Sequence, residues 1–276
     1  MLATFLIMLR EGMEAALIVG IIAGYLARTG RSGWLPTVWI GVLLAVAVSL
    51  FVGAAVLALG SQFPQKTQEF FEAIVGALAV VILISMVFWM RKAARSIRGT
   101  MEHDIDAAMA DARGPTWALI GMSFFAVARE GLESVFFLLA LFQQSPGPAA
   151  PLGALLGLAT AILLGWAVYR GGLRLDFRRF FLWTGAFIIL VAGGLAAGVL
   201  RSLHEAGIWN HLQQPIWDLT RTLPVSSPLG AVLSAVLGYH DAPALGEALA
   251  WAVVVGVSLW LFFRPAAPAP DRTREA

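Results

Sequence analysis

Cysteine is absent from all 276 residues, which rules out disulfides, zinc–thiolate sites and iron–sulfur clusters. Charge is scarce: Asp, Glu, Lys and Arg together make up 13% of the chain, where a soluble domain carries about 25%. Histidine occurs four times, always outside the long apolar runs, so haem ligands on facing helices are lacking. No Gly-rich phosphate loop, nucleophile elbow or zinc-protease signature is present, and no enzyme class follows from the motifs. The formal net charge of +2 gives no reason to expect nucleic acid as a partner. What is abundant is apolar surface, 59% of residues, and the expected surroundings are a lipid bilayer.

A hydrocarbon core about 30 Å thick is spanned by about 20 apolar residues in helical form. Seven stretches qualify, at about 3–27, 35–59, 69–91, 117–141, 152–170, 179–201 and 246–264. The breaks between them carry turn residues, as in Gly30-Arg31-Ser32-Gly33, Ser61-Gln62-Phe63-Pro64 and Ser145-Pro146-Gly147-Pro148. The expected fold is all-α, a polytopic membrane protein of seven transmembrane helices. One membrane domain covers 1–264, with an outer loop at about 202–245 and a Pro-rich cytoplasmic tail at 265–276 that reads as disordered. Within the outer loop, a short amphipathic piece is expected around Trp209 to Leu223. The first apolar run does not read as a cleavable signal, because no basic residue precedes it and Arg10 and Glu11 interrupt it. Fourteen Lys and Arg residues fall on one side of the seven-span arrangement and three on the other. The bias places the N-terminus outside and the C-terminus in the cytoplasm.

One phrase recurs. Arg10-Glu11-Gly12-Met13-Glu14 lies in the first apolar run, and Arg129-Glu130-Gly131-Leu132-Glu133 in the fourth. A charge at the centre of a spanning helix costs at least ~2.5 to 3.5 kcal/mol, so three charges in each copy call for a use. Each phrase opens a group of three spans. Three is odd, so the second group, about 115–201, runs through the membrane in the opposite sense to the first, about 1–91. This is an inverted repeat plus a seventh helix, an arrangement that places a substrate site at the interface of the halves near the midplane. Gly12, Ala16, Gly20 and Gly24 form a small-residue ridge along the first motif helix, suited to close packing.

Helical spacing of three sets Glu11 beside Glu14, and Glu130 beside Glu133. Facing pairs would offer four carboxylates, a donor set for hard cations. Arg10 and Arg129 each precede a Glu by four residues and can pair with it in the same helix, holding the shell behind the ligands. The competing account is a pair of buried salt bridges that fix helix register, with no ion involved. A third Glu pair, Glu69 and Glu72, starts the third span, as pathway ligands or as solvated acids at a helix start. His204, His211 and His240 lie in the outer loop, as an entry site or as plain surface. His103, near Asp104 and Asp106, reads as an acidic exit site or, more commonly, as a helical, solvated loop balancing its basic neighbours.

The two phrases in spans one and four, together with Phe71-Glu72 and Met86 to Arg91 in span three, resemble the high-affinity iron permeases of bacteria and fungi, in particular the EfeU-type inner-membrane branch. The resemblance implies an iron permease of the cytoplasmic membrane rather than an enzyme. Iron is then a substrate bound in transit by Glu11, Glu14, Glu130 and Glu133, with no resident cofactor. It also implies separate periplasmic proteins that oxidise or deliver iron. A proton-coupled carrier of another metal or of an organic cation, using the same Glu residues, is the alternative.

Overall fold

The computed structural model describes residues 1–60, 62–93, 103–107, 109, 114–144, 147–170 and 176–264. The described chain is helical, with a single isolated bridge between Pro215 and Ala244. The long helices are α1 (Leu2–Arg28), α2 (Leu35–Gly60), α3 (Gln65–Ala93), α4 (Pro115–Gln144), α5 (Ala149–Tyr169) and α6 (Phe177–Glu205), followed by short α7 (Pro228–Leu237) and by α8 (Leu245–Phe263). Five helical segments, carried by α2, α3, α5, α6 and α8, are long and apolar enough to cross a membrane. α1 and α4 are as long, 27 and 30 residues, but each bears three motif charges within its apolar run. α2 is apolar all round and leaves Leu43, Leu50 and Phe51 exposed, as a helix facing lipid does.

The ends are set by ordinary capping chemistry. Asp176 accepts from the Arg179 N–H at the start of α6. Ser227 accepts from the Gly230 N–H at the start of α7, with Pro228 in the first turn, and Gly238 ends that helix in the left-handed region at φ 67°. The helix in the long loop is therefore at 228–237, not at 209–223. The stretch after α6 is instead folded by turns around Asp218 and the Leu219–Asp241 backbone bond. Asp218 accepts from both the N–H and the hydroxyl of Thr220, which holds its carboxyl below the usual range. The tail from 265 lies outside the described residues.

Packing pairs the helices across the chain rather than along it. α1 packs chiefly on α5, α2 on α4, and α3 on α6, with α8 against α6. The closest approaches are at glycines. A Cβ at Gly153 would meet Met1 and Thr4, one at Gly157 would meet Phe5, and one at Gly165 would meet Ala16, so α1 and α5 run parallel. Gly41 lies on Ser123, Gly131 on Ser49 and Gly53 on Val135, so α2 and α4 run parallel as well. Gly76 meets Val199 and Gly185 meets Val87, an antiparallel pairing of α3 with α6. α8 is held to α6 by Arg201 and Glu247, and to α7 by the Trp251 indole donating to the Leu237 carbonyl.

The two ends of the bundle differ. At the end carrying Met1, a cavity of about 310 Å³ opens among α1, α3, α6 and the long loop. At the end carrying Arg28, an apolar cluster of Ile22, Leu26, Val38, Val42 and Leu119 closes the space between α1, α2 and α4. Ile105, fully buried, completes this cluster from the connection between α3 and α4. The neighbouring Asp106 accepts from the Tyr25 hydroxyl at 2.6 Å and pairs with Arg31 at 3.3 Å. The 103–107 segment is helical with His103, Asp104 and Asp106 exposed, as its charges suggest, and it is docked on the bundle through Ile105.

Candidate metal centre

α1 and α4 touch at their motifs. Glu11 comes from α1, and Glu130 and Glu133 from α4. Each offers a carboxylate oxygen, and the three atoms lie within 4.8 Å of one another. Glu11 and Glu130 are buried and Glu133 is nearly so. Among the described residues, no other three His, Asp or Glu side chains come together this closely. Both Glu11 oxygens and Glu133 Oε2 have no hydrogen-bond partner. A buried carboxylate oxygen without a donor is costly, and a cation placed among the three carboxylates would relieve that cost. The donor set is all oxygen and anionic, which suits a hard or borderline cation that gives up part of its water shell.

The two arginines repeat one geometry. Arg10 Nε donates to Glu14 Oε1 at 3.0 Å, and Arg129 Nε to Glu133 Oε1 at 3.0 Å. Their surroundings differ. Arg10 is fully buried and both its Nη atoms lack partners. Arg129 is 46% exposed and stacks on Trp89, its Cζ 4.3 Å from the ring centroid. Glu14 spends its bond on Arg10 and is not one of the three converging carboxylates. The four motif glutamates therefore form a group of three with a fourth held beside it. Behind them, the Ser134 hydroxyl donates to the Glu130 carbonyl at 2.8 Å.

Glu69 and Glu72 do not join this centre. They line the Met1-end cavity with Glu205, Arg201 and His240, and Glu72 accepts from Gln68 at 3.1 Å. The loop histidines do not converge. His204 bonds Asn210 at 3.0 Å, His211 meets the Trp209 ring, and His240 lies 3.5 Å from Asp241. His103 is exposed beside the docked Ile105. Two contacts escaped the sequence reading: Trp89 under Arg129, and Ser49, whose buried, unpartnered hydroxyl sits against Gly131. Spacing along one helix gives no signal for either of them, because each contact joins two helices.

Comparison with known proteins agrees with this architecture. The Iron permease FTR1 family model matches residues 1–267. The ferrous iron permease EfeU of Yersinia pestis is 52% identical over 265 residues, covering 96% of this chain and 94% of that one. The ferrous iron permease EfeU of Escherichia coli O157:H7 is 50% identical over 276 residues, the full length of both. No solved structure matches the chain. A helical multi-pass architecture, a carboxylate centre between two charged helices and a family match along nearly the whole length lead to one assignment: the chain belongs to the iron permease FTR1 family, and is a transport protein rather than an enzyme.

Proposed function

We propose that the chain carries ferrous iron across the cytoplasmic membrane through the centre formed by Glu11, Glu130 and Glu133, with Glu14 as a fourth carboxylate that joins during transit. The observation that carries this reading is the convergence of carboxylate oxygens from Glu11, Glu130 and Glu133 within 4.8 Å, with both Glu11 oxygens and Glu133 Oε2 unpartnered. The ferrous substrate is drawn from the names of the relatives. Iron enters by the Met1-end cavity, where Glu69, Glu72 and Glu205 concentrate cations, and leaves at the Arg28 end.

The reading includes seven spans, with α1 and α4 crossing the bilayer, and an inverted repeat of α1–α3 and α4–α6. Support for the repeat comes from the packing. The shift from Gly12 to Gly131 is 119 residues and that from Ser49 to Ala161 is 112. Applying 119 to α1 and 112 to α2 carries each contact of one half onto a contact of the other. Gly12 on Ala161 answers Gly131 on Ser49, Thr4 on Gly153 answers Ser123 on Gly41, and Ala16 on Gly165 answers Val135 on Gly53. α1 runs parallel to α5 and α4 parallel to α2, as an antiparallel exchange of the two halves requires.

The test is uptake of radioactive ferrous iron into vesicles holding the purified protein. Glu11→Gln and Glu133→Gln keep the side-chain volume and remove one charge each. Both are expected to reach normal membrane levels and to lose most uptake, tenfold or more on the scale of about 1.4 kcal/mol per decade. Wild-type uptake by both variants would remove the carboxylates from the ion path and leave the salt bridges as register devices.

A further inference from the structure

The cation centre uses the carboxylates but leaves an aromatic ring from another helix unexplained. Trp89, on α3, lies under the guanidinium of Arg129, on α4, at 4.3 Å. The same guanidinium donates through Nε to Glu133 Oε1 at 3.0 Å, and the other oxygen, Glu133 Oε2, is buried and without a partner. We propose that Trp89 is a positioning residue for the metal centre: its ring fixes Arg129, and Arg129 in turn aims Glu133 at Glu11 and Glu130.

This inference rests on the reading of those carboxylates as a cation site. Two comparisons within the molecule support it. Arg170 stacks on Trp166 and Arg264 on Trp260 at similar distances, but each of those pairs lies four residues apart at the end of one helix, as interfacial anchors do. The Trp89–Arg129 pair joins two helices and ends on a member of the centre. The second comparison is with the other motif. Arg10 holds Glu14 by the same 3.0 Å bond, yet its nearest aromatic, Phe181, is 5.9 Å away. Glu14 is the motif glutamate that stays out of the group of three, and Glu133, whose arginine is clamped, is in it.

The physical effect has one sign. A guanidinium on an indole face is held by the ring quadrupole, and Trp is the strongest of the aromatic partners. Without the ring, Arg129 keeps its charge beside carboxylates that attract it. It can then swing over the centre and compete with the incoming cation, or release Glu133 from its aim. Either way iron binds less tightly, while the steps after binding keep their machinery.

The experiment measures equilibrium binding of ferrous iron to the purified protein, with vesicle uptake alongside. Trp89→Leu is expected to raise the half-saturating iron concentration about three- to tenfold with the maximal uptake rate largely kept. Trp89→Phe should recover most of the affinity. In an Arg129→Gln background, exchanging Trp89 should change affinity no further, the signature of coupling through that arginine. If Trp89→Leu lowers membrane levels, Trp89→Met, which is flexible and without a ring, takes its place in the same comparison. Unchanged affinity in the ringless variant, or an undiminished loss in the Arg129→Gln background, overturns the proposal. Glu133→Gln separates the two levels of argument. If it binds and carries iron normally, the carboxylate centre itself is wrong. If it is impaired while the ringless variant is not, only the role of Trp89 falls.

Discussion

At the scale of single residues, the two halves of the repeated motif carry different burdens. Glu11 is buried with both oxygens unpartnered, so the fold gains nothing from its charge. Glu14 is buried against Arg10, which has no other partner for its guanidinium. Removing one member of such a pair strands a buried charge, at a cost of about 3 to 5 kcal/mol. Glu14→Gln and Arg10→Ala are therefore expected to lower membrane levels and thermal stability, in contrast to Glu11→Gln. Replacing both at once, Arg10→Met with Glu14→Leu, should recover stability without recovering transport, because apolar residues of similar volume often replace a buried ion pair at little cost. Thermal unfolding of the detergent-solubilised variants reads this out. Equal stability of Glu11→Gln and Glu14→Gln would mean that the Arg10 pair adds nothing to the fold. The sequence pattern treats the two glutamates alike, since both lie at the same spacing in the same phrase. Only the neighbour across the helix interface distinguishes them.

At the scale of helices, most of the architecture is legible in the apolar runs and the Gly- and Pro-containing breaks. Each of the seven expected stretches overlaps one long helix, and the structure adds a turn or so to several, as at 65–93 and 177–205. The helix in the long loop was not legible in this way. Trp209 to Leu223 has scattered aromatics that imitate an amphipathic face, whereas 228–237 owes its position to Ser227, Pro228 and Gly238 at its ends. The docking of Ile105 was hidden for a similar reason, a lone apolar residue among acids and basic neighbours. The small ridge on α1 was legible as a packing signal, and the structure gives it a partner at Gly12 and Ala16, on Ala161 and Gly165, but none within 4 Å at Gly20 and Gly24. Gly12 meets Ala161, and Gly157 meets the Phe5 backbone. A side chain at Gly157 would push against main-chain atoms, which cannot rotate away. Gly157→Val is expected to destabilise the bundle by about 1 to 3 kcal/mol, the range for overpacking, and to part α1 from α5. Gly20→Ala, where a Cβ meets nothing within 4 Å, should leave levels and uptake unchanged. Equal membrane levels for the two variants would show that the α1–α5 contact is looser than its glycines imply.

At the scale of the whole molecule, the two ends of the bundle differ in polarity. The Met1 end has a polar cavity whose walls include Glu69, Glu72, Gln143 and Glu205. On the Arg28 side, Val127 and Ala128 lie within one turn of Glu130 and belong to the apolar cluster closed by Ile105. An ion with its hydration shell does not cross such a cluster, because apolar walls offer nothing to replace the lost water. The space between α1, α2 and α4 is thus apolar and filled towards Arg28, while an apolar cavity of about 370 Å³ runs between α1 and α5 from Met13 to Arg28. In the proposed orientation the Arg28 end lies in the cytoplasm, as the bias of basic residues favours, and the Met1-end cavity then faces outwards. The natural absence of cysteine makes this directly testable, since each introduced thiol is the only one in the chain. Gln143→Cys, in the cavity wall, is expected to react with a membrane-impermeant thiol reagent in intact cells. Ser32→Cys, exposed at the Arg28 end, should react only after the membrane is made permeable. Val127→Cys, within the apolar cluster, should resist the reagent from both sides, and its labelling should rise only under conditions that drive transport, when the cluster must open to let the ion leave. Labelling of Ser32→Cys in intact cells would invert the orientation. Ready labelling of a resting Val127→Cys would show that the apolar cluster between α1, α2 and α4 is no barrier.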